Sequence, residues 1–138
     1  MNMIRKLGWL YALMFIAIAG MSYVPAFKDA NGMMFGLFSL QLQDDLLHLF
    51  SGIWVGVAAW MSTRATVLFF KLFGTLYFLD GVLGFFTGMG YLDLGIFING
   101  PVALDLQTRF FANLPHLLIG GIAIFTGFIL SKRYAHSA

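Results

Sequence analysis

Two residue types are missing altogether from this chain: there is no cysteine, and all six acidic residues are aspartates, so there is no glutamate. Lack of cysteine excludes disulfides, thiolate metal sites and thiol nucleophiles. Charge is scarce too: 10% of the 138 residues are charged, against roughly 25% in an average soluble domain. The eight basic residues lie scattered around apolar segments and build no nucleic-acid patch. No serine stands with a base and no two carboxylates share an apolar segment, so an enzyme is not expected.

What is abundant is apolar: 60% of the residues are hydrophobic and the mean hydropathy is +0.86. A hydrocarbon core of about 30 Å takes about 20 helical residues to cross. Four stretches suit that length, approximately Ile4 to Val24, Leu46 to Met61, Val67 to Met89 and Phe110 to Leu130. The second is the shortest and reaches full length only if its helix begins near Gln41. The first segment has the basic start and apolar run of a signal peptide, but it has a partner later in the chain and is read as a retained span.

Lysine and arginine are kept preferentially on the cytoplasmic side. Arg5, Lys6, Arg64, Lys71, Lys132 and Arg133 would share that side, opposite Lys28, Arg109, Asp29, Asp44, Asp45, Asp93 and Asp105. Both termini are therefore expected in the cytoplasm, with two long loops outside, in a bacterial inner or photosynthetic membrane.

An internal repeat organises the chain. Residues 5 to 11, RKLGWLY, match residues 71 to 77, KLFGTLY, at an offset of 66. Asn31-Gly32 answers to Asn99-Gly100, and Ser39-Leu40-Gln41 to Asp105-Leu106-Gln107. Asp45-Leu-Leu-His48-Leu-Phe-Ser-Gly52 lies over Asn113-Leu-Pro-His116-Leu-Leu-Ile-Gly120 at an offset of 68. Each half, about 1–63 and 64–138, thus reads as helix, external loop, helix, and parallel repeats of that kind turn about an axis along the membrane normal. The predicted fold is a single all-α domain, 1–138: a polytopic four-helix membrane bundle made of two parallel helix-loop-helix repeats. Both loops are apolar enough to lie at the interface or to dock a neighbouring protein.

His48 shares a helical stripe with Gly52, Val55, Gly56 and Ala59, and His116 with Gly120, Ala123 and Gly127. Small residues mark the faces along which membrane helices approach, so both histidines are expected in the interior at similar depth, where they could face each other. One reading is structural: Asp45 and Asn113 cap the helices, and each imidazole bonds across the interface to a carbonyl or hydroxyl. Another is cofactor binding, with His48 and His116 as axial ligands of a tetrapyrrole, haem or chlorophyll, beside glycines that leave room for a flat ring. A bare metal site is poorly supplied with ligands.

Asp80 lies near the middle of the third span, where acids are costly and point to function. It is either bonded to a hydroxyl or carbonyl of a neighbouring helix or part of a proton or ion pathway. Its counterpart in the first half is Met14. Lys71 is expected to snorkel to the surface, Trp9 and Trp60 to sit at the cytoplasmic interface, and Trp54 to pack inside. His136, in the tail, is given no role.

The twice-used element [Asp/Asn]-Leu-x-His-Leu-x-x-Gly resembles that of an uncharacterised bacterial family of small four-helix membrane proteins, a domain of unknown function. The resemblance implies the fold and almost no chemistry. The leading expectation is a structural or accessory subunit of a larger respiratory or photosynthetic membrane assembly, in contact with lipid and with other subunits or copies of itself. Tetrapyrrole binding through His48 and His116 is the alternative, and a proton or ion pathway through Asp80 the third.

Overall fold

A computed structural model describes residues 2–21, 23–27, 42–87 and 106–134. Among them the protein is all-helical, with four α-helices: α1 (Met3–Met21), α2 (Leu42–Met61), α3 (Thr63–Thr87) and α4 (Leu106–Phe128). Short 3-10 turns follow α1 at Pro25–Phe27 and α4 at Leu130–Tyr134. Three segments, Met3–Met21, Thr63–Thr87 and Asn113–Tyr134, are long and apolar enough to cross a membrane, and Asp45–Met61 is a shorter apolar helix. With its polar first turn, α2 is 20 residues long, about 30 Å at 1.5 Å per residue.

The helices start ahead of the apolar stretches, at Met3, Leu42, Thr63 and Leu106, because hydropathy marks what lipid tolerates, whereas caps mark where a helix starts. Ser62, the single residue between α2 and α3, accepts a bond from the Ala65 amide at 3.0 Å, so α3 begins at Thr63 and carries Arg64 in its first turn rather than opening at Val67. Asn2 accepts from the Arg5 amide at 3.0 Å and donates to Thr63 Oγ1 at 2.7 Å, which ties the start of α1 to the start of α3. Arg5 then donates to the carbonyls of Ala59 and Trp60, at 2.7 and 2.8 Å, and so closes the carboxyl end of α2.

Asp45 and Asn113 are not the caps that the sequence suggests. They lie inside α2 and α4, which begin at Leu42 and Leu106, and both are buried. Helix α4 runs through Pro115, which has no N–H for the Phe111 carbonyl. Lys28, Asp29, Asn31, Gly32, Ser39, Leu40, Gln41, Asp93, Asn99, Gly100 and Asp105 lie outside the described residues, as do His136 and the side chains of Asp44 and Arg109.

Helix α1 packs chiefly on α2, and α3 on α4. All four contribute to one apolar core: Tyr11, Ala12 and Phe15 from α1, Val55 and Ala58 from α2, Phe69, Phe70, Phe73 and Tyr77 from α3, and Ala123 from α4. On α3 the inward residues recur at Phe69, Phe73, Tyr77, Asp80, Gly81 and Gly84, the spacing of one helical face. Rings at four-residue intervals stack along it, Phe69 on Phe73 and Phe73 on Tyr77, both at 4.8 Å. Trp54 packs edge-on against Phe69 at 4.8 Å, an interior role as expected.

Contact with lipid is as favourable for Leu as contact with another helix, so tight backbone approach carries the association. Gly120 supplies it between α3 and α4: a Cβ there would stand 2.6 Å from the Phe78 nitrogen. Three buried hydroxyls, those of Ser51, Thr66 and Thr126, each bond the carbonyl four residues back at 2.7 to 2.8 Å. They are thereby spent locally.

Candidate functional site

The α3 face that stacks its aromatic rings turns polar toward its carboxyl end. Tyr77 and Asp80 are three residues apart and therefore adjacent on that face. Opposite them α4 presents His116, and α2 presents His48.

His116 Nδ1 lies 2.6 Å from Asp80 Oδ2. The acid is almost completely buried, at 3% side-chain exposure, whereas the imidazole retains 28%. Asp80 is therefore paired neither with a hydroxyl nor with a backbone carbonyl in this contact: its partner is the second histidine of the repeated element. The distance is short even for a charge-assisted N–H···O bond. One proton lies between ring and carboxyl, and whichever group holds it donates. Among the described residues His116 Nε2 makes no hydrogen bond. A histidine held through Nδ1 by a carboxylate, with Nε2 presented outward, is oriented as metal-ligating histidines are.

His48 Nε2 lies 3.3 Å from the Tyr77 hydroxyl. Phe15 stacks against the same imidazole at 6.0 Å and 14°. Tyr77 meets the other histidine with its ring, 4.6 Å from that of His116. Both histidines thus surround one tyrosine instead of facing each other across a gap. Two hydrogen-bonded pairs, His48 with Tyr77 and His116 with Asp80, meet at the Tyr77 side chain through packing.

That geometry bears on how the two histidines would hold a cofactor. A tetrapyrrole clamped by both histidines needs an open slot between them, and Tyr77 stands there. A single axial bond through His116 Nε2 suits the donor set better, because Asp80 fixes the ring. No group of three or more His, Cys, Asp or Glu side chains gathers among the described residues.

Glycines make the approach of α4 feasible. A Cβ at Gly81 would touch that of His116 at 3.0 Å, and one at Gly84 would overlap the amide of Asn113. Asn113 therefore fills a notch in α3, which is an interhelical role rather than a capping one. Asp45, on α2 one turn before His48, is buried at the same end. Sequence reasoning singled out His48, His116 and Asp80 but not Tyr77 as their meeting point. It also missed Tyr11, the counterpart of Tyr77, whose hydroxyl donates to the Ile119 carbonyl at 2.7 Å and ties α1 to α4. The signal was available, since matching residues 5–11 to 71–77 sets Tyr11 over Tyr77.

No family model matches the chain, and neither the curated proteins nor the solved structures contain a match to it.

Proposed function

We propose that this chain is a small integral membrane protein whose interior holds a proton-binding centre, Asp80 with His116, beside Tyr77 and His48. It works as an accessory subunit of a larger membrane assembly, on a four-helix bundle of two parallel repeats with both termini cytoplasmic. Membership of the small four-helix family belongs to the same reading.

The observation that carries it is the 2.6 Å contact between an acid at 3% exposure and an imidazole, between two helices apolar enough to span a membrane. Ionisable groups at such depth are costly and are retained where they serve a pathway or a ligand. The repeat draws support from matched contacts. Gly8 meets Val55 as Gly74 meets Ala123, and Gly52 meets Ala12 as Gly120 meets Phe78. Arg5 bonds the Trp60 carbonyl, and its counterpart Lys71 lies 5.4 Å over the ring of Phe128, the counterpart of Trp60. Phe15 stacks on His48 where Gly81 abuts His116.

Infrared difference spectroscopy of the reconstituted protein, taken between acidic and alkaline buffer, tests the centre. A carboxyl band that comes and goes with pH, vanishes in Asp80→Asn and moves in His116→Gln is the expected result. A pH difference spectrum unchanged by Asp80→Asn would refute it. A second reading is favoured by the outward-facing Nε2: ligation of one tetrapyrrole by His116 alone. It predicts an absorption band in the purified wild type that is lost in His116→Ala and retained in His48→Ala.

A further inference from the structure

Charge is distributed along the molecule in a way that the proton-binding centre does not explain. Helices α1 and α3 begin at one end, joined by the bond from Asn2 to Thr63. Helix α2 finishes there under Arg5. The turn Leu130–Tyr134 that completes α4 returns to α1 at the same end. Six basic residues therefore gather on three neighbouring elements: Arg5, Lys6, Arg64, Lys71, Lys132 and Arg133. None of the six aspartates belongs to the segments that build this end, 2–9, 57–71 and 127–134.

The six are not equivalent. Arg5 is occupied with the α2 carbonyls, and Lys71 lies over the Phe128 ring at 5.4 Å. Lys6, Arg64, Lys132 and Arg133 are exposed, and among the described residues none of them has an ion-pair partner. Through its bonds to the last carbonyls of α2, Arg5 offsets the negative carboxyl end of that helix. What remains at this end is four open cations with no anion of the protein's own. Two tryptophans flank them, Trp9 at 41% and Trp60 at 72% exposure, the residues that settle at headgroup level.

We infer that this end of the molecule binds the headgroups of anionic phospholipids, with Lys6, Arg64, Lys132 and Arg133 as the contacts, a proposal that rests on the membrane reading above. Charge complementarity selects the occupant. The patch lies at the ends of apolar helices, where a lipid phosphate is already at hand and held at high local concentration. Clusters of four or more basic residues beside a membrane helix favour anionic lipid in this way, each at the surface by about fivefold. The phosphates of zwitterionic lipids carry a compensating cation and gain far less.

The experiment compares vesicles of neutral phospholipid with vesicles in which part of the lipid is anionic, and the acyl chains of either class carry bromine. Trp9 and Trp60 report at the right place, since bromine near them quenches their fluorescence. At low salt the wild type is expected to choose anionic over neutral lipid by at least about fivefold. The preference should fall toward one in the exposed-site variant Lys6→Gln, Arg64→Gln, Lys132→Gln, Arg133→Gln, and in the wild type at high salt. Arg5 is left in place because it holds the fold, and far-ultraviolet dichroism checks that the variant stays helical. Insertion into neutral vesicles without any anionic preference would overturn the inference and leave the membrane reading standing. A preference that survives in the fourfold variant would overturn it too, by placing the site elsewhere. Failure to insert into vesicles of either kind would overturn both.

Discussion

Separating Asp80 from His116 is the most direct challenge to this structure, and its size follows from the geometry. Neutral hydrogen bonds between membrane helices average about 0.6 kcal/mol and reach about 1.7. Bonds to a charged group run to about 1.5–3 kcal/mol, and a fully buried ion pair that loses one member costs about 3–5. Here the 2.6 Å distance and the 3% exposure of Asp80 argue for the charged class, and the 28% exposure of His116 argues against the fully buried one. A coupling energy of about 2 kcal/mol is expected. It is measured by a double-mutant cycle of Asp80→Ala, His116→Ala and both together, with unfolding in mixed micelles driven by dodecyl sulfate and followed by helical dichroism. Each single variant should lose more than the coupling alone, since it strands the other partner. The double variant should lose less than the sum of the two. Asp80→Asn keeps a hydrogen bond without the charge and should fall between wild type and alanine. A coupling below about 0.5 kcal/mol would mean that the two side chains do not form the pair described.

Adjacent glycines on α4 should respond in opposite senses. A Cβ on Gly120 would stand 2.6 Å and 2.8 Å from backbone atoms of Phe78, whereas one on Gly121 would meet nothing within 4 Å. Gly120→Ala should therefore cost about 1–3 kcal/mol, because backbone cannot swing aside, and Gly121→Ala should be neutral or gain up to about 1 kcal/mol of helix propensity. The same detergent titration reads both, and equal effects would refute the packing of α4 on α3. Tyr77→Phe keeps the ring stack on Phe73 and His116 but removes the hydroxyl from His48. It should cost about 1 kcal/mol and shift the His48 Nε2 nitrogen resonance while leaving His116 Nδ1 in place. Movement of both would show that the two pairs are not separate.

The inner faces of this protein were written plainly in its sequence, and the joints were not. Helices of this length reveal their inward side through small residues, which is why His48, His116 and the stripes of Gly52 and Gly120 were found on interior positions. Asp80 stood out because a carboxyl in a long apolar run has few explanations. Partner choice was harder. Nothing in linear spacing says that Asp80 on α3 meets α4 rather than α1, since helix order is a matter of tertiary packing. Asp45 and Asn113 misled for a local reason: both are good capping types beside an apolar run, yet each helix had already begun, at Leu42 and at Leu106. The role of Arg5 was hidden because a basic residue ahead of a span satisfies the rule of charge asymmetry so well that no structural task is sought for it.

The two copies of the histidine-bearing sequence element give their histidines unlike surroundings. Where the second half has Asp80, Gly81 and Gly84, the first has Met14, Phe15 and Ile18. Phe15 is fully buried and lies flat against His48, filling the volume that Gly81 leaves for His116 and its closer approach to α3. His48, with no acid at the equivalent place, turns Nε2 to a tyrosine of the other half. A ligand gripped equally by both histidines would call for like walls around each, and the walls differ in polarity and in size. The chemistry that fits such a pair of sites is unequal: one imidazole tied to a carboxyl and reachable at its far nitrogen, the other enclosed by rings and tied to a phenol. The acid and imidazole pair is thus built by α3 and α4, with Phe15 of α1 supplying the aromatic wall against His48.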